Sequence, residues 1–351
     1  MYPSLRAALE AFDRKIGWNR VGILVSLAVI VIAAVVLTHT LRGIDFHQVF
    51  VALRGYSLHE VLLSFAFVVF GYFTLTMYDV FALHTIGRTD VPYHVAALAG
   101  FTSYAVGHNV GASAFTGGAV RYRIYSGYGL SAIEVAKLCF IAGFTFWLGN
   151  AAVLGLGIAW APEAASAINQ VPPWVNRVLA VVILAALVTY VGWVWRTHRV
   201  IGRRNWEVSL PSGRLTLVQI LIGIVDLGCC AAAMYMLVPE EPYIGFVTVA
   251  VIFVSATLLG FASHSPGGLG VFDAAMLVAL WEYDKEKLLA GLLLFRVLYY
   301  LVPFAVALLV LGGRELWLSF GGKAAARTKK GAERPGAGAP AGAEAEDRGL
   351  G

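Results

Sequence analysis

Long apolar runs separated by short polar punctuation set the character of this chain. Six runs are long enough to cross a bilayer, whose hydrocarbon core takes about 20 helical residues. They lie at roughly 21–41, 58–83, 133–160, 175–195, 215–238 and 288–312. Ser57-Leu58-His59-Glu60 has the S-x-x-E form of a capping box and predicts the start of the second run. Ser131, with Glu134 three positions on, does the same for the run at 133–160. Positions 45–56 alternate at helical spacing and predict an interfacial turn of helix. Two other apolar segments behave differently. One, 93–106, runs into Gly107–Arg123; the other, 243–262, runs into Ala262–Gly270 and a short segment at 271–281 that cannot cross.

Both of these segments end in glycine. Gly107, Gly111, Gly117 and Gly118 fall together with His108, Asn109, Arg121 and Arg123. Irregular backbone at membrane depth survives only where protein or a water-filled cavity satisfies its amides. The stretch also has an echo. Ala112-Ser113-Ala114-Phe115-Thr116-Gly117-Gly118 and Ala262-Ser263-His264-Ser265-Pro266-Gly267-Gly268 share the pattern A-S-x-x-[T/P]-G-G, 150 positions apart. Paired broken segments at matching places predict a duplicated transporter fold with its site at the midplane.

Charge decides how these segments meet the membrane. Basic residues mark the cytoplasmic side. Five arginines lie between Arg196 and Arg214, and seven basic residues follow position 312, whereas 161–174 and 239–245 hold none. These loops agree with a cytoplasmic N-terminus only if each glycine-rich segment enters and leaves on one side. Lys285 and Lys287 then lie outside, balanced by Asp284 and Glu286. The prediction is an all-α polytopic membrane protein with six crossings and two re-entrant helical hairpins. Its parts are a cytoplasmic segment (1–20), a first repeat (21–160), a linker (161–174), an inverted second repeat (175–312) and a disordered cytoplasmic tail (313–351). With three crossings per repeat the halves are inverted, and the hairpin tips are expected to meet.

Composition supports this class. The 351 residues are 59% hydrophobic and 13% charged, about half the roughly 25% of a soluble domain. The net charge of +5 sits in loops and tails, so it reads as topology rather than as nucleic-acid binding. Cys139, Cys229 and Cys230 fall in apolar runs without metal or disulfide spacing. The first apolar run lacks a small-residue cleavage site and is expected to be retained.

Several polar residues carry candidate chemistry, each beside a structural reading. The Gly117-Gly118 and Gly267-Gly268 turns precede short helices, where backbone N–H groups favour an anion; the same glycines also allow close packing. Arg121 and Arg123 suit a phosphate fork or an ordinary basic interface. Asp79, Asp226 and Arg296 lie in apolar runs, where a charge costs about 2.5–3.5 kcal/mol on insertion scales. Asp226 and Arg296 form either an ion pair or part of a polar path, and Asp79, near a span end, either joins that path or snorkels to the interface. Glu134 and Lys137 suit a local helical pair. His108-Asn109 and Ser263-His264-Ser265 lack the third orienting group of a catalytic triad, and no metal or other cofactor is indicated.

The residues Ser103-Tyr104, Gly107-His108-Asn109, Thr116-Gly117-Gly118, Arg121-Tyr122-Arg123, Gly129-Leu130-Ser131 and Phe146-Trp147-Leu148-Gly149 carry a resemblance. Together with Ser263-His264, Pro266-Gly267-Gly268-Leu269-Gly270-Val271-Phe272, they make residues 15–315 similar to the lysylphosphatidylglycerol synthase transmembrane-region (flippase-like) family. That is the membrane domain of the multiple peptide resistance factor. The resemblance implies a bacterial inner-membrane protein with both termini cytoplasmic. It would move aminoacylated or related phospholipids between leaflets in support of resistance to cationic peptides. Full-length members carry a cytosolic aminoacyl transferase domain; the short tail here leads us to expect no synthase activity. Where the family's second signature often ends in Glu, this chain has Asp273. The expected substrate-binding set is His108, Asn109, Ser113, Thr116, Gly117, Gly118, Arg121, Arg123, Asp226, Ser263, His264, Pro266, Gly267, Gly268 and Arg296. Expected partners are membrane phospholipids, a separate aminoacyl-lipid synthase and a second copy of the chain. Alternative readings are a membrane subunit that recruits such a synthase, or a proton-coupled solute transporter.

Overall fold

The computed structural model describes residues 47, 51, 54–111, 113–196, 199–203, 206–263 and 266–316. The expected helix at 1–20, the first crossing at 21–41, most of the interfacial turn and the tail beyond 316 lie outside them, as do Ala112, His264 and Ser265. Ten helices carry the described fold: α1 (Leu58–Thr85), α2 (Tyr93–Val110), α3 (Ser113–Tyr125), α4 (Ala132–Trp160), α5 (Pro162–Asn169), α6 (Pro173–Arg196), α7 (Gly213–Tyr235), α8 (Phe246–Ala262), α9 (Val271–Ala279) and α10 (Lys285–Leu316). Helices α1, α4, α6, α7 and α10 are long and apolar enough to cross a membrane. These correspond to five of the six runs expected from hydropathy.

Local chemistry sets the helix starts. Ser57 accepts from the Glu60 amide while Glu60 Oε2 accepts from the Ser57 amide at 2.7 Å, and Ser131 with Glu134 repeats this box at α4. Glu134 does not pair with Lys137, as helical spacing suggested. Its other oxygen takes a bond from Arg88 at 3.1 Å, because the capping role already turns the carboxylate toward the preceding loop. Two connections carry short elements of their own. The linker at 161–174 contains α5, started by Pro162 at the first helical position. The basic loop contains a short antiparallel pair, β1 (Val200–Arg203) and β2 (Trp206–Ser209), with Ile201 opposite Val208, and the fold is otherwise helical, as an all-α membrane protein requires.

Helix α7 is the axis of the molecule. It packs on α1, α4 and α8, and small residues bring the backbones together. A Cβ built on Gly149 of α4 would stand 2.7 Å from the Gly223 Cα of α7, and one on Gly71 of α1 would meet the Cys229 and Cys230 side chains. Helix α6 lies at the periphery and presents Val178, Val181, Val182 and Val188 outward, as a lipid-facing helix does.

The glycine-rich segments both form helical pairs. Helix α2 turns at Gly111 and folds back as α3; helix α8 turns through Pro266–Gly268 and continues as α9. The foot of each pair is tied across its two flanking loops. Arg88 Nη2 donates to the Tyr128 carbonyl at 2.7 Å below α2 and α3, and Tyr283 Oη donates to the Pro242 carbonyl below α8 and α9. Residues Met1–Leu308 form one unit by contact; of Leu309–Gly351 the described part is helical, with Arg314 3.5 Å from Glu315.

Candidate functional site

The polar residues of α1 do not face lipid. Asp79 is fully buried, and Arg121 of α3 holds it through a fork: Nε lies 3.1 and 3.0 Å from its two oxygens and Nη2 lies 2.7 Å from Oδ1. Tyr125 Oη adds a bond to Oδ2 at 2.8 Å, and the Tyr104 ring lies 4.7 Å beneath the guanidinium. Asp79 therefore does not snorkel. A bidentate partner and a hydroxyl donor offset the cost of burying its charge. Gly117, one turn before Arg121, makes this approach sterically feasible. A Cβ there would stand 3.1 Å from the Ser103 carbonyl of α2 and 3.5 Å from Arg121 Nη1.

A second fork serves the other hairpin. Helix α10 passes through a π-helical turn at Arg296–Leu301. Arg296 donates from Nε and Nη2 to Asp273 at 3.0 and 2.5 Å, and from Nη1 to the Gly267 carbonyl at 3.1 Å. Asp273 also accepts from the Gly270 amide at 3.1 Å, so one carboxylate caps α9 and binds the arginine. Gly267, Gly268 and Gly270 have φ of 61°, 62° and 80°, a left-handed run that glycine enters without Cβ strain. Of the two readings for Asp226 and Arg296, the ion pair is not formed, because Asp273, on the short helix after the turn, takes the fork.

The two tips come together beside α10. Asn109 Nδ2 donates to the Ala105 and Tyr300 carbonyls at 2.9 and 3.1 Å. The His108 ring stacks on Tyr299 at 6.1 Å, with Tyr104 at 5.8 Å and Tyr300 at 6.5 Å. A Cβ on Gly267 would stand 3.8 Å from the His108 carbonyl. His108 Nδ1 is buried and has no hydrogen-bond partner among the described residues. Asp226 lies deeper, between α7 and α1. Tyr78 Oη donates to its Oδ2 at 3.0 Å, and Thr74 Oγ1 lies 3.1 Å from its Oδ1. Tyr72 donates to the Tyr299 carbonyl at 3.1 Å and closes the wall between α1 and α10.

His108, Asn109, Gly267 and Arg296 are thus gathered at one junction. Arg121 stands behind Tyr104, and Asp226 is connected to the group through Tyr78, whose ring lies 6.0 Å from that of Tyr104. Thr116 Oγ1 donates to the Gly111 carbonyl at 3.1 Å, and Ser263 Oγ to the Gly260 carbonyl at 2.6 Å, both inside their own hairpins. Gly118 faces Cys139 and Gly268 faces Gly260. Arg123 is half-buried at the end of α3. His264 and the side chains of Ser113 and Pro266 lie outside the described residues. Asp79, Asp273, Tyr78, Tyr104 and Tyr299 were not among the expected site residues. Their signal is hydroxyl and acid groups recurring in apolar runs, which locates them in the interior but assigns no partner.

No model of a known protein family matches the chain. Among curated proteins it is similar to slr0712 of Synechocystis sp., 28% identical over 79% of this chain and 86% of that one. It is also similar to the inner membrane protein YbhN of Escherichia coli, 28% identical over 76% and 84%. Phosphatidylglycerol lysyltransferase of Staphylococcus aureus is 26% identical over 81% of this chain, a match that takes in 33% of the lysyltransferase. The resemblance carried by the motifs is therefore homology along about four-fifths of the chain, and the chain is a multi-pass membrane protein related to these.

Proposed function

We propose that this protein translocates phospholipids, aminoacylated or otherwise anionic, between leaflets of a bacterial inner membrane without synthesising them. The observation that carries the reading is the junction of the two glycine-tipped hairpins around His108, whose Nδ1 is buried without a partner. The relatives support it through their printed names, one an inner membrane protein and one a transferase acting on phosphatidylglycerol. In this reading each hairpin is re-entrant and belongs to one of two inverted repeats. The headgroup path runs past His108, Asn109, Arg121, His264, Asp226 and Arg296. Both arginine forks hold carboxylates here, and a lipid phosphate offers the same planar pair of oxygens. Exchange of Asp273 for a phosphate on Arg296 would free the second glycine turn.

The test is leaflet exchange in liposomes holding the purified protein and labelled phosphatidylglycerol or its lysyl ester. Movement well above that in empty liposomes is expected; no exchange of any anionic or aminoacylated phospholipid ends the reading. A second reading, a membrane subunit for a separate synthase, is favoured by the match to one third of the lysyltransferase. It predicts co-purification of a cytosolic aminoacyl transferase and no exchange by the protein alone.

A further inference from the structure

We propose that Asp226 is a proton-binding site, its carboxyl held as a neutral acid between Thr74 and Tyr78. We propose further that release and return of that proton couples lipid movement to the proton gradient. The coupling rests on the translocase reading; the proton site does not.

Hydrogen accounting carries the site. A threonine hydroxyl has one proton to donate. Thr74 Oγ1 lies 2.6 Å from the Gly71 carbonyl, the back-bond that threonine commonly makes inside helices, so its proton is committed. The 3.1 Å contact between Thr74 Oγ1 and Asp226 Oδ1 then lacks a hydrogen unless the carboxyl brings one. A neutral Asp226 donates from Oδ1 to Thr74 and accepts at Oδ2 from Tyr78, and every group is satisfied. An ionised Asp226 keeps a single donor while 3% exposed.

Charge accounting agrees. Among the described residues the buried charged groups are Asp79, Arg121, Asp226 and Arg296, with Asp273 close behind at 18% side-chain exposure. Arg121 is committed to Asp79 and Arg296 to Asp273. Among the described residues Asp226 is the buried carboxylate left without a guanidinium, and an unpaired charge at that depth is costly. The titratable groups facing it are Tyr72 and Tyr78 on α1, Tyr104 on α2, Tyr299 on α10, and Cys229 and Cys230 on its own helix. Helix α8, packed on α7, has no titratable side chain, and none from α4 or α6 is among the facing groups. Among the described residues no arginine, lysine or histidine faces the carboxyl. Tyr78, Tyr104 and His108 form a row from Asp226 to the hairpin tips, with rings 6.0 and 5.8 Å apart.

Infrared difference spectra of the full chain in liposomes, between neutral and alkaline pH, read the proton directly. The wild type is expected to show a protonated-carboxyl band that bleaches in alkali. The band is expected to be absent from Asp226→Asn, retained in Asp273→Asn, and shifted in Tyr78→Phe, which loses the donor to Oδ2. A wild type without the band, or an Asp226→Asn protein that keeps it, overturns the proton site. So does sodium that stabilises the wild type but not Asp226→Asn at constant pH, since a metal cation would then occupy the place. In the same liposomes an imposed pH gradient is expected to change leaflet exchange of labelled phosphatidylglycerol several-fold; a wild-type rate indifferent to the gradient overturns the coupling. Absence of exchange with the band present ends the translocase reading and the coupling with it, and leaves the proton site standing.

Discussion

The two hairpins solve one problem with opposite polarity. The first carries the arginine, and its partner Asp79 belongs to the surrounding helix α1. The second carries the aspartate, and its partner Arg296 belongs to α10. The first fork is sealed, at 6% exposure for Arg121 and none for Asp79, whereas Asp273 of the second is 18% exposed. The first hairpin consists of two regular helices that meet across Gly117; the second runs from helix to helix through three left-handed glycines. A sealed pair resists opening, because each charge must leave the other uncompensated in a low-dielectric interior. A pair at the edge of the interior, beside a turn built of glycine, meets a smaller penalty. The first fork is therefore expected to resist opening more than the second.

Breaking the sealed fork gives the largest effect. Asp79→Asn leaves Arg121 buried without a carboxylate and is expected to cost about 3–5 kcal/mol, measured as loss of folded yield and a lower unfolding midpoint in detergent. Asp273→Asn leaves Arg296 the Gly267 carbonyl, and the carboxylate it removes is itself 18% exposed, so a smaller loss of about 1–3 kcal/mol is expected; equal losses for the two variants would dissolve the distinction between the hairpins. Gly267→Ala meets nothing closer than 3.8 Å, so its cost is the left-handed backbone alone, about 1–2 kcal/mol in the same melts. The smallest effect separates the feet. Arg88 hydrogen-bonds the Asp90 carboxylate and holds it below its usual acidity range. That contribution is present above Asp90's ordinary 3.8 and is lost as pH falls through the lowered value. Hydrogen exchange in the first turn of α2, corrected for intrinsic rate, should rise in acid more than in the first turn of α8, whose foot is tied by a neutral tyrosine. Asp90→Asn should abolish the difference.

Much of this layout was legible in the chain. Ser57 with Glu60 and Ser131 with Glu134 announced their helices, since a capping box is local chemistry complete within four residues. The second Gly-Gly announced the break between α8 and α9; the first was misplaced, since Gly117-Gly118 lie inside α3 and the chain turns at Gly111. The helix within 161–174 and the strands at 200–209 were not legible, because each is a short element surrounded by loop residues whose own preferences are weak. Of the candidate residues, His108, Asn109, Gly267 and Arg296 do lie together in the fold, but the spacing left their pairing open. Asp226 and Arg296 looked like partners because each is a charge in an apolar run, yet Asp273, at the edge of a short helix, holds the arginine.

Hydropathy, glycine and charge placement along the chain determined which segments can cross, where the two segments break and which polar residues lie inside. These are properties of single segments against lipid and water. Which carboxylate meets which guanidinium was decided only when α1 met α3 and α9 met α10, since a bidentate fork forms or fails over a fraction of an ångström and its partners stand 23 and 42 residues apart. Among the described residues the same packing left Asp226 with hydroxyls in place of a cation. No spacing in the chain distinguishes that carboxyl from the two that are paired.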